Sequence, residues 1–500
     1  MHPLGSPYVR DQIAQRSARI NEMRLVPEGD IVLYLMQSTQ RIHENWALRY
    51  ATIEADRLNR PLLIVHELDS DYEHASDRMH TFALQGARDA ARDAEAAGYT
   101  FRFLLRRKRG EPSQTVERLA ARACLIVTDA YPTGGIAERT ARLALRAPCR
   151  VVSVDSVGVI PAAMLPREEY AARTIRPKLA KLRDIALEPV LDRPPRREFP
   201  PALLASLAID ALDIARSDIA AEVARCEVDR SVPPASIEGG TRAGRARLAR
   251  FLDTGLQQYS TRRIDPTDPD GSSRLSPYLR YGQISAAEVA RAALQHGPPK
   301  EAEAFLDEMI TWRELSLNFC LHNPAHGSLA ALPAWVHRSM GEHERDRRDT
   351  IYTRAQLASA ATGEPLWNAG QRELLATGQM HNAVRMLWGK SVLLWTDRYA
   401  DALSYLIWLN DRYALDGRDP NSYSNILWCF GKFDRPFATR QIWGTIRPMS
   451  LSRARAKFDV DAYVERWSAA SQRAVFGGAP ERVIGNGARH SLHSEPMMSD

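Results

Sequence analysis

Residues 378–395 read GQMHNAVRMLWGKSVLLW, which places His381, Asn382 and Arg385 within about one helical turn and follows them with Trp388 and Trp395. As a single helix this stretch puts His381, Arg385 and Trp388 on one face, since residues three and four apart are neighbours. A buried guanidinium needs an anionic or strongly accepting partner; a flavin or a nucleotide phosphate would supply one. Trp388 and Trp395 are two turns apart, about 10 Å along the axis. That spacing suits stepwise electron transfer between indoles when an acceptor lies near one end. It suits core packing equally well.

Two further stretches carry polar groups at useful spacing. In DGSSRLSPYLRYGQIS (270–285), Ser272, Ser273 and Ser276 surround Arg274 and Leu275 just before a helical pattern. Hydroxyls, backbone N–H groups and a helix start together make an anion site, and they equally make an N-capped helix after a turn. In LNDRYALDGRDPNSYSNILW (409–428), Asn410, Asp411, Asp416, Arg418, Asp419 and Asn421 crowd ahead of Trp428. Its DGRDPNSY segment must be a loop. It is either a salt-bridged surface loop or a set of amide and carboxylate groups beside a cofactor ring.

The elements that must position these residues fall into two halves. Short branched-apolar runs at 31–36, 61–68, 100–105, 123–130 and 149–155 alternate with Ala/Arg/Glu-rich helical segments such as 76–98. That pattern predicts a parallel, Rossmann-like sheet covered on both faces. The segment after the first strand, QSTQRIHENW, has no glycine, so the dinucleotide fingerprint and the phosphate loop are both absent. The expected α/β domain spans 28–160, a connecting segment rich in proline and charge 161–205, and an all-α domain 206–467. A polar Gly/Ser-rich tail over 468–500 is expected to be disordered. Eight of the ten tryptophans fall between 312 and 443.

Composition narrows the partners. The formal net charge is +6, and only seven of the basic residues are lysine. An arginine-dominated surface permits nucleic acid as a partner and fits a solvated surface as well. Five scattered cysteines without C-x-x-C pairs argue against a disulfide framework, a zinc site or an iron–sulfur cluster. No apolar run is long enough for a membrane span and the first 30 residues are not an apolar leader, so a cytoplasmic location is expected, and with nothing in the sequence pointing to an obligate oligomer, a monomer.

SSRLSPYLRYGQIS, EMITWRELSLNFC (308–320), PLWNAGQRELLATGQMHNAVRMLW (365–388), LNDRYALDGRDPNSY and FDRPFATRQIWGTIRPMS (433–450) occur in this order. Together they resemble the flavin domain of the photolyase/cryptochrome family, most closely class II cyclobutane pyrimidine dimer photolyases, over nearly the whole chain. ENWALRYA (44–51) and its surroundings resemble the family's antenna domain. The resemblance implies light-driven DNA repair: reduced FAD, excited by blue or near-UV light, lends an electron to a pyrimidine dimer flipped out of UV-damaged DNA. It also implies a second, antenna chromophore (a folate, a deazaflavin or another flavin), which no motif here selects.

Matched by motif, Tyr259 and Ser272, Ser273, Arg274, Leu275 and Ser276 are implied to hold the diphosphate and ribityl chain. Asn382, Arg385, Asp416 and Asn421 are implied near the ring, with Asn410 facing its N5. Glu308, four residues before Trp312, is implied to hydrogen-bond the dimer, with Trp312, Trp428 and Met386 packing against it. Arg263, Arg435 and Arg447 are implied to hold the DNA backbone or fill the gap left by the flipped dimer. Trp388, Trp367 and Trp395 are implied to form the relay for photoreduction. Leu317, His322 and Leu387 depart from the class II pattern without replacing any of these. A blue-light photosensor and a (6-4) photolyase are the alternative readings.

Overall fold

The computed structural model describes residues 7–189 and 192–468; the expected disordered tail lies outside them apart from Ser468. Six strands form one sheet: β1 (Ser17–Arg19), β2 (Ile31–Met36), β3 (Leu62–Leu68), β4 (Thr100–Leu105), β5 (Ala123–Asp129) and β6 (Arg150–Val154), in the spatial order β1-β6-β5-β2-β3-β4. Five are parallel, and they are the five apolar runs of the sequence. The sixth, β1, pairs antiparallel to β6. Its three residues carry no periodic signal, which is why the sequence-based domain begins later, at 28.

Period-two alternation splits the sheet core into two faces. Val32, Tyr34, Met36 and Ile64 pack on Ala47, Leu48 and Ala51 of helix Trp46–Leu58. Ile31, Leu33, Leu35, Leu63 and Val65 face Val116, Leu119 and Ala144 on the other side. Helix Asp77–Ala96, capped by Ser76, covers the 76–98 pattern.

The remainder is helical. The connecting segment 161–205 contains helix Ala172–Ala186, whose Ile175 and Leu179 are buried in the core around Phe251, Phe305 and Leu315. A second helical core surrounds Trp367, Trp388 and Phe430.

Buried polar contacts join the halves. Arg78, on helix Asp77–Ala96, donates to the carbonyls of Leu374 (3.1 Å), Leu375 and Tyr413 (2.8 Å). Leu374 and Leu375 lie in the last turn of helix Pro365–Thr377, where a cation is favoured; the Leu374 carbonyl also accepts from the Gly378 N–H (2.9 Å). Tyr131 donates to Asp419 (2.8 Å), and the Val159 N–H to Glu314 Oε1 (2.7 Å).

Candidate functional site

The helical half encloses a cavity of about 310 Å³ whose wall includes Tyr259, Arg263, Ser272, Ser273, Arg274, Leu275, Ser276, Glu308, His381, Asn382, Arg385, Asp416 and Asn421. Residues separated by more than 160 positions thus meet in one place. Asn410, Met386, Trp312 and Trp428 are not wall residues.

The serine loop is held from behind. Arg247 donates to the carbonyls of Ser272 and Ser273 (both 2.8 Å) and pairs with Asp270. With its carbonyls so engaged, the loop turns at Arg274, which adopts a left-handed φ of 55°. Arg274 Nη1 donates to Glu373 Oε1 at 2.8 Å. The other oxygen of Glu373 accepts from the His381 N–H (3.1 Å) and the Tyr463 hydroxyl (2.7 Å). Glu373 is fully buried, and three donors compensate its charge. The helix expected after the loop, Ser276–Arg280, is five residues long. Its macrodipole is correspondingly small, so the polar groups this loop offers are those of Arg274 and the serines.

The 378–395 stretch is not one helix. Gly378, at φ 70°, ends helix Pro365–Thr377, and the next helix runs Asn382–Leu394 with His381 as its N-cap. His381 Nδ1 accepts from the Ala383 N–H at 3.2 Å. The expected shared helical face of His381 and Arg385 is therefore replaced by a cap and a first-turn residue. Trp395 lies just past the helix end.

The anion expected for Arg385 from a ligand comes from the chain itself. Arg385 and Asp416 form a bidentate pair (3.1 and 2.8 Å). Burial acts against the Asp416 carboxylate, but Arg385 and the Ser276 hydroxyl outweigh it and hold the group below its ordinary value. Burial likewise opposes the Arg385 charge, and Asp416 raises it on balance. The expected DGRDPNSY loop is a loop only as far as Asp419, because Asp419 caps helix Pro420–Cys429, accepting from the Asn421 N–H (2.8 Å) and amide (2.7 Å); the part before it delivers the Asp416 carboxylate, with Arg418 at φ 59°. Asn410 is buried and spends its amide on Asp411 (2.9 Å), which also accepts from the Arg418 N–H and the Tyr423 hydroxyl.

Glu308 is ion-paired with Arg263 at the cavity wall. It sits in a π-helical turn, Asp307–Trp312, a geometry frequent at functional sites. Trp312 stacks on Trp428 (ring centroids 4.7 Å, 23° between planes), and the Trp428 N–H is fixed on Asp434 at 3.0 Å. Met386 packs at the edge of the second helical core. Arg435 and Arg447 are exposed, each with its guanidinium 5.9 Å from the ring of Phe437.

Trp388 and Trp367 stack at 6.0 Å with 9° between planes, and Trp367 meets Trp395 edge-on at 5.7 Å. The Trp388 N–H is donated to Gln371 (3.0 Å) and that of Trp367 to the Trp388 carbonyl (2.9 Å).

Sequence reasoning missed Gln371, Glu373 and Lys390. Lys390 is buried and donates to the carbonyls of Cys429 (3.0 Å) and Arg447 (2.9 Å), tying the Trp428 helix to the Arg447 segment. A lone lysine in RMLWGKSVLLW, in a chain with seven, was the available signal. Gln371 and Glu373 gave none, because their partners are distant in sequence.

A second cavity, about 1000 Å³, opens where the sheet's carboxyl ends face the helical half. Its wall includes Leu35, Asp69, Arg106, Gly134, Arg139, Asp411 and Arg418. Beside it, at the β2/β5 switch point, Asp129 Oδ2 accepts from the N–H groups of Gln37, Ser38 and Thr39 at 2.8–3.0 Å. A side chain thus takes the three amide donors of the loop after β2, at the place where open α/β sheets bind ligands.

Solved structures share the architecture. The chain aligns with a class III photolyase from Agrobacterium tumefaciens (TM-score 0.61, 20% identity, 88% of this chain and 86% of that one). It also aligns with a cryptochrome from Synechocystis sp. PCC6803 (TM-score 0.64, 17% identity, 89% of each). The fold is that of the photolyase/cryptochrome class. A DNA photolyase family model matches residues 32–198. The deoxyribodipyrimidine photo-lyases of Methanothermobacter thermautotrophicus (34% identity, 91% of this chain, 98% of the relative) and Oryza sativa subsp. japonica (35%, 91% and 92%) align nearly end to end. The chain belongs to the deoxyribodipyrimidine photo-lyase family.

Proposed function

We propose that the protein is a light-driven DNA repair enzyme, a deoxyribodipyrimidine photo-lyase that binds FAD and splits cyclobutane pyrimidine dimers. The observation that carries the reading is the single cavity that joins the Ser272–Ser276 loop and Arg274 to the Arg385–Asp416 pair and, at its wall, to Glu308. That set fits a flavin dinucleotide: hydroxyls and a guanidinium suit its diphosphate, an ion pair and the amides of Asn382 and Asn421 suit its ring edge, and His381 keeps a buried Nε2 with no partner among the described residues. When bound, reduced FAD supplies on illumination the electron that breaks the dimer.

The chain's own residues do the rest. Arg385 stays protonated through Asp416 and offers the polarised edge of its guanidinium to the reduced ring. Arg263 neutralises Glu308 until a DNA phosphate competes for it, freeing the carboxyl for the lesion. Trp312 and Trp428 present a stacked aromatic surface, which offsets the cost of taking a dimer out of the helix. Arg435 and Arg447 hold phosphates. Trp388, Trp367 and Trp395 conduct electrons inward for photoreduction. The larger cavity takes the second chromophore. The wall of that cavity mixes carboxylates and arginines, which selects no one of the three chromophore classes.

The test is direct: reduced, FAD-loaded protein is illuminated with DNA carrying either cyclobutane dimers or (6-4) photoproducts. Restoration of normal thymines from the first substrate alone is expected. Repair of neither would reduce the protein to a photosensor, and repair of the second alone would replace the substrate assignment.

A further inference from the structure

His381 is 3% exposed and forms part of the cavity wall. Its Nδ1 is an acceptor, because the Ala383 N–H points at it and cannot accept. A neutral ring has one acceptor and one N–H, so the proton resides on Nε2. That nitrogen is buried and has no partner among the described residues. Burial, and then Arg274, push the imidazole down to about 4, with Glu373, Asp265 and Asp268 pulling the other way. The ring therefore stays neutral over the physiological range and the Nε2–H remains a donor. A buried donor left unmade costs about 1–3 kcal/mol, and at a cavity wall a ligand oxygen would remove that cost.

The neighbourhood narrows the acceptor. His381 and Arg274 are both hydrogen-bonded to Glu373, one through its backbone and one through its guanidinium. Gln379, another wall residue, donates to the Arg274 carbonyl at 3.1 Å. The imidazole thus belongs to the serine–arginine side of the cavity.

We propose that His381, besides capping its helix, donates its Nε2–H to an accepting oxygen of the bound flavin dinucleotide. The inference rests on the FAD reading above. Two substitutions separate donor from cap. Asparagine is a preferred N-cap but is too short to put a donor where Nε2 lies. Glutamine carries a donor on a longer side chain. FAD dissociation constants are measured by equilibrium titration of stripped protein, with the melting temperature of each apoprotein as control. His381→Asn is expected to weaken FAD binding about five- to tenfold at an unchanged apoprotein melting temperature. His381→Gln is expected to recover most of that loss. Asparagine binding within twofold of the unsubstituted chain overturns the proposal, as does a glutamine variant no better than asparagine. If the unsubstituted chain itself fails to take up FAD, the cofactor reading falls instead.

Discussion

Arg385 and Asp416 neutralise each other 31 positions apart, and that pairing changes what the arginine offers a ligand. An unpaired buried guanidinium would act as a full cation; a paired one presents a polarised edge while its charge is already balanced. Sequence spacing exposed Arg385 as a residue in need of an anion but could not say which, because the answer came from a separate loop. The same holds for Trp388. Its helical partner at a seven-residue interval is legible, yet the ring in contact with it is Trp367, on a different helix. If the three indoles conduct, Trp388→Phe abolishes photoreduction of oxidised FAD while repair by chemically reduced enzyme persists. Transient absorption and a lesion assay on the same preparation check both halves; photoreduction that survives would make these rings packing alone.

At the scale of elements, the five long strands were readable because period-two patterning is local. The boundaries at 378–382 were not, since a left-handed glycine and a histidine cap interrupt a pattern that is apolar on both sides. Helix Arg313–His322 shows what element placement does to chemistry. It carries Glu314 into the domain junction, where the group is 3% exposed, and burial, reinforced by Asp155, pushes its carboxyl up to about 7. A carboxyl whose folded-state pKa lies above its unfolded value favours the fold when protonated. Stability is therefore lost as pH rises from about 4.5 to about 7 and is level beyond. Glu314→Gln keeps an acceptor for the Val159 N–H and removes the titration. The variant should be more stable than the unsubstituted chain at pH 8, by roughly 3 kcal/mol, with the gap closing at pH 5. Equal gaps at both pH values would show that Glu314 does not titrate in this range.

Across the whole molecule, the basic excess turns out to be mostly committed. Many arginines are ion-paired or spent on carbonyls, as Arg78, Arg247 and Arg385 are, so net charge was a poor guide to where DNA would lie. Arg435 and Arg447 are exposed and lack an ion pair among the described residues. Arg435→Ala and Arg447→Ala should each weaken binding to dimer-containing DNA and lower the slope of log K against log salt by about 1. Photoreduction should be unchanged in both. A loss of affinity with an unaltered slope would take these residues off the phosphates.

Asp129 gives the α/β half a character of its own. Three amide protons converge where this topology ordinarily receives a nucleotide, and the chain answers them with its own carboxylate. The acid acts as a tethered competitor. Its effective concentration at the nest is set by covalent attachment, so an outside phosphate must displace it to reach the amides. The three amide donors are thereby closed to an outside phosphate, and whatever the neighbouring cavity holds must be held through other groups of its wall.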